Sequence, residues 1–304
     1  MASFRGPSAP GWSSLTHFGN STQSIAFYLW SPSAQPMRLP LVLWLHGGHY
    51  APAAETIDRF PDGASLLQPA TRYPCYVLQP MAQEGANFVG YYRSHPGPVF
   101  KLRPKIEESL RRAVYLLDML LAARSSEIDP NRIVLAGGSM GAYGVWDLLV
   151  RFPRRFAGAF PIAGGGDPAH PNLRVLRERI ARRELRIWSI HSAADRIVTP
   201  NASRNMFHAL AADAPLETHH RHCKAADGLT ALRCTESELA GKGWLAHTEY
   251  DAYWMKARGQ RHPGGRGLPS HSQTFIIALS DRRLPEMLFS ETPGEDSRVA
   301  RVAS

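Results

Sequence analysis

The sequence predicts an α/β protein built on a mostly parallel, doubly wound sheet with helices on both faces. Three observations predict it. Short apolar runs without alternation recur along the chain, as parallel strands covered on both sides require. Segments with apolar residues at helical spacing fall between those runs. The two signals then alternate over most of the 304 residues, the pattern of a crossover-connected sheet.

Taken in order, residues 1–21 are rich in Gly, Pro and Ser and predict a flexible arm. The domain, 22–290, opens on the strand Ser24-Ile25-Ala26-Phe27-Tyr28-Leu29-Trp30, followed by Leu41-Val42-Leu43-Trp44-Leu45 and Tyr76-Val77-Leu78. Ile106, Leu110, Ala113, Leu117 and Leu121 share one face at helical spacing and predict an amphipathic helix. The run Ile133-Val134-Leu135-Ala136 is a strand, and residues 139–150 a helix. Gly158-Ala159-Phe160-Pro161-Ile162 and Ile187-Trp188-Ser189-Ile190 are strands, with helices at 173–182 and 202–211. Residues 217–244 show no periodicity and read as an insertion, a mobile cap or surface elaboration. Thr248-Glu249-Tyr250 is the last strand, Ser272-Gln273-Thr274-Phe275-Ile276-Ile277-Ala278 the closing helix, and the polar tail 291–304 is expected to be disordered.

Composition excludes several classes. Hydrophobic residues make up 44% and charged residues 20%, ordinary for a soluble globular protein. No run approaches the roughly 18–20 apolar residues that a membrane span needs. The net charge of +9 invites a nucleic-acid partner. Yet the basic residues are scattered over 103–112, 151–155, 174–186 and 256–266, with no recognition motif, so none is expected. Three cysteines, Cys75, Cys223 and Cys234, make no disulfide framework. A cytoplasmic location is expected, there being no charged start followed by an apolar signal core. An organellar transit peptide is the alternative, since the first acidic residue is Glu55; against it, Arg5 is the sole arginine among the first thirty residues.

Chemistry concentrates at Gly137-x-Ser139-x-Gly141, between the strand ending at Ala136 and the helix that follows. This is the nucleophile-elbow pattern: small neighbours let a serine take a strained turn that holds its hydroxyl out of the sheet at a helix N-terminus. A serine hydroxyl attacks only when a base takes its proton, and that base needs a carboxylate to orient it. Asp195 is the expected acid, because it follows the strand Ile187–Ile190 by a short loop at the sheet edge where such sites lie; Asp167, after Gly164-Gly165-Gly166, is its competitor. Of thirteen histidines, His271 is the expected base, since it precedes the closing helix. His262 is the alternative base, and His247 at the start of a strand reads as structural. The oxyanion hole calls for two backbone N–H groups, expected from Met140 and from Gly48 in His46-Gly47-Gly48-His49. His46 reads as the organiser of that loop. His219-His220-x-His222-Cys223 and Cys234 are ligand-type residues, but their spacing matches no standard structural zinc site, and no metal is expected. Phe88, Tyr91 and Tyr92 line either a substrate pocket or the core edge.

Together these residues resemble the α/β-hydrolase superfamily, in its esterase branch of polyhydroxybutyrate-depolymerase-like and feruloyl-type esterases, phospholipase/carboxylesterases and predicted peptidases. The resemblance rests on Leu41-Val42-Leu43-Trp44-Leu45-His46-Gly47-Gly48, Ile128-Asp129-Pro130-Asn131-Arg132-Ile133 and Gly138-Ser139-Met140-Gly141-Ala142-Tyr143-Gly144-Val145-Trp146. It extends through Arg151-Phe152-Pro153-x-x-Phe156-Ala157, Pro161-Ile162-Ala163-Gly164-Gly165-Gly166-Asp167 and the Asp195 and His271 segments, covering about residues 20–290. It implies a serine esterase acting on a small-molecule ester through an acyl-enzyme, with Ser139 as nucleophile, His271 as base and Asp195 as orienting acid, and no cofactor. Two departures stand out: His49 replaces a glycine usual in the oxyanion loop, and Asp195 lies unusually far from His271. A small-substrate peptidase or thioesterase, or a non-catalytic binding protein on the same scaffold, is the alternative.

Overall fold

In the computed structural model, the described residues are 11–12, 16–18, 25–33, 36–48, 74–83, 86–89, 100–224, 231–240, 244–250, 270–281, 283–284 and 289. The apolar runs become the middle of one 11-stranded sheet. Its strands are β1 (Gly11–Trp12), β2 (Thr16–Phe18), β3 (Ile25–Ser31), β4 (Leu39–Leu45), β5 (Tyr76–Pro80), β6 (Ile128–Gly138), β7 (Gly158–Ile162), β8 (Arg186–Ser192), β9 (Leu216–Lys224), β10 (Ala231–Leu239) and β11 (Leu245–Tyr250). The described helices are α1 (Glu108–Ala123), α2 (Met140–Arg151), α3 (Leu173–Ala181), α4 (Asn201–Ala211) and α5 (Ser270–Ser280).

Strand order is β1-β3-β5-β4-β6-β7-β8-β11-β10-β9, with β2 paired to β3. From β5 to β11 all neighbours run parallel, and both margins are antiparallel. The expected doubly wound core is therefore present, inside a mixed sheet. Every residue of β4 is buried, and alternation sends its side chains into two layers. Leu41, Leu43 and Leu45 join Leu135 and the apolar faces of α1, α2, α3 and α4. Val42 and Trp44 join Val134, Ala136 and the α5 residues Ile277, Ala278 and Leu279 on the opposite side. Helices thus cover both faces, and none of the described helices is long and apolar enough to cross a membrane.

Two expectations need correction. Gly11–Trp12 and Thr16–Phe18, inside the stretch read as an arm, pair antiparallel with β3. Residues 217–244, read as aperiodic, hold most of a hairpin, β9–β10, which extends the sheet from β11. An edge strand has one neighbour and needs no apolar face, so Leu216–Lys224 carries charges and imidazoles where a central strand carries valines. Alternation also separates the histidine cluster. His219 lies 3.6 Å from carboxylate oxygens of Glu217 and Glu238. His220, on the other face, meets the Thr235 hydroxyl.

α2 packs closely against the end of β4. A Cβ on Gly141 would lie 1.9 Å from the Leu45 carbonyl oxygen and 2.8 Å from that of His46, backbone atoms that cannot rotate away. Glycine to alanine in a helix ordinarily stabilises by about 1 kcal/mol, and here the sign reverses. Gly141→Ala is expected to cost about 3 kcal/mol, read as a lower urea midpoint.

Candidate active site

Ser139 occupies the single residue between β6 and α2, with φ 53° and ψ −115°. That conformation is strained for a residue with a Cβ. It is held from both sides: the Ser139 N–H donates to Ile162 O at 2.9 Å, and its carbonyl accepts from Tyr143 N at 3.2 Å. Strand order places this turn at a switch point. The chain leaves β4 for β5 on one side and returns to β6 on the other, so loops from β4 and β6 diverge and open a crevice above the strand ends. Gly47, just past β4, approaches to where a Cβ would be 3.8 Å from Ser139 Cβ. Of the two residues expected to supply oxyanion N–H groups, Met140 directly follows Ser139 and opens α2, and Gly48 is the next residue after Gly47.

His271 reaches this crevice from the first turn of α5. One turn later, Phe275 lies against Gly138, where a Cβ would be only 2.2 Å from the phenyl Cε1. The Phe275 and His271 rings meet edge-on, with centroids 5.3 Å apart, as residues four apart on a helix do. Phe275 on Gly138 therefore seats the helix, and the helix carries His271 over Ser139. The imidazole Nε2 lies 2.8 Å from Ser139 Oγ, and Nδ1 lies 2.6 Å from Asp195 Oδ2. Because a carboxylate only accepts, Nδ1 carries the proton and Nε2 is left to accept from the serine hydroxyl. All three side chains are buried.

Asp195 is itself fixed. Its Oδ1 accepts the Ile197 N–H at 2.8 Å and the Val198 N–H at 3.0 Å. Burial works against the charge, but hydrogen bonds from His191, His271 and Val198 overcome it and hold the carboxyl well below the usual carboxylate range. It is therefore an anion at any pH where the protein would work.

The remaining candidates fall elsewhere. Asp167 accepts the Leu102 and Ala169 N–H groups, which braces a loop. His247 is buried in β11 between Ser189 Oγ, at 2.8 Å, and Glu249 Oε1, at 3.2 Å, and burial pushes its pKa down. Glu249 in turn pairs with Arg204. Burial opposes its charge, but His247 and Arg204 hold its pKa down to about 2. His46 has the organising geometry: Nδ1–H donates to Gly47 O at 2.7 Å and Nε2 accepts from Ala82 N at 3.0 Å. Burial brings its pKa down to about 4, so the ring is neutral and can accept that bond. Phe88 is fully buried against the His46 ring, at the core edge. His262, Tyr91 and Tyr92 lie outside the described residues.

Two residues at the site escape sequence reasoning. Phe275 is legible only as one residue of the closing helix, although its place four residues after His271 is a usable signal. His191 sits four residues before Asp195 and reads as the end of a strand; it is the second imidazole on that carboxylate.

No family model matches the chain. A solved thermostable esterase superposes with a TM-score of 0.65 and 24% identity, over 90% of this chain and 62% of its own. The acetyl xylan esterase from Aspergillus awamori gives 0.51 and 14%, over 80% and 93%. The fold is that of the α/β-hydrolases. Among curated proteins, the poly(3-hydroxyalkanoate) depolymerase C of Paucimonas lemoignei is 31% identical over 152 residues, 50% of this chain and 34% of the depolymerase. The match thus spans about a third of that relative's length.

Proposed function

We propose that this α/β-hydrolase is a serine esterase cleaving small-molecule carboxylic esters through an acyl-enzyme on Ser139. The observation that carries the reading is the unbroken hydrogen-bonded series Ser139–His271–Asp195 at the strained turn. His271 Nε2 takes the hydroxyl proton as Ser139 Oγ attacks the ester carbonyl, and Asp195 stabilises the imidazolium that forms. The carbonyl oxygen, now carrying charge, is met by the N–H groups of Gly48 and Met140, the latter at the positive end of α2. His271 then returns the proton to the departing alcohol. In the second half a water, deprotonated by the same nitrogen, releases the acid and restores Ser139.

Every proton and electron pair in this cycle is handled by protein side chains and water, so it calls for no metal or organic cofactor. The esterase neighbours and the depolymerase favour an oxygen leaving group.

A fluorophosphonate probe tests the reading. The wild type is expected to label stoichiometrically and to hydrolyse p-nitrophenyl acetate, and Ser139→Ala to do neither. A folded wild type that neither labels nor turns over the ester defeats the proposal.

A further inference from the structure

His191 is the penultimate residue of β8, and its side chain is wholly buried. An imidazole removed from water needs partners for both nitrogens. Its Nε2 lies 3.0 Å from Val198 O and 3.3 Å from Asp195 Oδ2. Both oxygens only accept, so Nε2 carries a proton and shares it between them. Its Nδ1 is hydrogen-bonded to Ser203 Oγ on α4. Ser203 Oγ in turn lies 3.2 Å from Gly164 O. The ring is clamped between α4 and the Asp195 loop, with no freedom to turn.

Asp195 is thereby approached on every side. The Ile197 and Val198 N–H groups hold Oδ1, and two imidazoles meet at Oδ2. Of those two, His271 must gain and lose a proton in each turnover, while His191 sits outside the proton path. Without His191, the remaining hydrogen-bond partner of that oxygen among the described residues would be the ring it is meant to orient.

Building on the esterase reading, we propose that His191 is a positioning residue for that reaction: its Nε2–H pins Asp195 Oδ2 where His271 Nδ1 meets it. It acts through Asp195 and touches neither the ester nor Ser139. The alternative role is purely architectural, tying β8 to α4 through Ser203. The two differ in what a glutamine does. Its amide N–H replaces the donor to Oδ2 but cannot also serve Ser203, so it restores positioning without restoring the tie.

The experiment compares wild type, His191→Leu and His191→Gln, each checked for folding by circular dichroism and thermal melting. His191→Leu is expected to lower kcat on p-nitrophenyl acetate about 100-fold with KM little changed, the scale on which small misplacements of a catalytic group act. His191→Gln is expected to recover kcat to within about tenfold of wild type while melting as low as the leucine variant. A folded His191→Leu enzyme with wild-type kcat overturns the proposal, as does a glutamine variant no faster than the leucine one. Should His191→Leu not fold, Ser203→Ala decides. It loosens the ring at Nδ1 alone and is expected to cost about tenfold in kcat at constant KM, and an unchanged kcat overturns the proposal. Fluorophosphonate labelling of the wild type separates the two levels. An unlabelled, inactive wild type sinks the esterase reading and this inference together, whereas a labelled, active wild type beside a fully active leucine variant sinks this inference alone.

Discussion

His271→Ala is expected to lower kcat on p-nitrophenyl acetate by about 10⁵-fold or more, to the level of Ser139→Ala, with KM little altered. The geometry gives the reason. His271 Nε2 is the ring nitrogen that touches Ser139 Oγ, and a hydroxyl with no base attacks esters little better than water does. The two groups act as one unit, so removing both is expected to cost no more than removing either. That non-additivity is the sharper measurement. If His271 only packed against the serine, the double variant would be slower than each single one. His262→Ala, the competing assignment from sequence, is expected to keep kcat within about threefold of wild type, because Ser139 Oγ already has an imidazole partner in His271. A collapse of activity in His262→Ala with His271→Ala intact would reverse the assignment.

The parts of the site legible in the sequence are those whose chemistry is local. Gly137-x-Ser139-x-Gly141 can be read because a strand, a strained turn and a helix follow one another within a few residues, and the glycines are demanded by backbone contact. Asp195 is legible for the same reason, as a carboxylate one short loop past the apolar strand β8. What the sequence hides depends on elements far apart in it. His191 acquires its meaning only when α4 brings Ser203 alongside and the loop folds Val198 O back onto the ring. Phe275 is an unremarkable helix residue until Gly138 is seen beneath it.

The fold divides along the same line. Central strands carry their own signal because both faces are apolar, and β4 is plain from Leu41-Val42-Leu43-Trp44-Leu45 alone. The β9–β10 hairpin carries none. Its pairing comes from backbone hydrogen bonds to β11, and its side chains alternate between imidazole–carboxylate contacts such as His219 with Glu238 and hydroxyl contacts such as Thr218 with Ser237. β6 starts earlier than its apolar run because Ile128 pairs with Leu39 before a register shift ahead of Ile133. Asp129-Pro130-Asn131 is the irregular stretch within β6.

Asp195→Asn is the second large loss, about 10⁴-fold in kcat at nearly constant KM, the scale set by the equivalent change in a serine protease triad. The cost comes from a tautomer rather than a lost charge alone. Oδ1 accepts two backbone N–H groups, from Ile197 and Val198, so an asparagine must keep its carbonyl oxygen there. Its NH₂ group then takes the place of Oδ2, facing His271 Nδ1 and His191 Nε2. A donor opposite Nδ1 needs that nitrogen unprotonated, which moves the His271 proton to Nε2 and leaves nothing to accept the Ser139 hydroxyl. On the other side, NH₂ meets the Nε2–H that His191 shares with Val198 O, and donor faces donor. The turn itself is preserved, so the Asp195→Asn variant is expected to fold. Fluorophosphonate labelling is expected to slow in step with kcat, because both need the same activated oxygen. A variant that labels at the wild-type rate would place the orienting carboxylate elsewhere and leave the Asp195–His271 hydrogen bond a structural contact only.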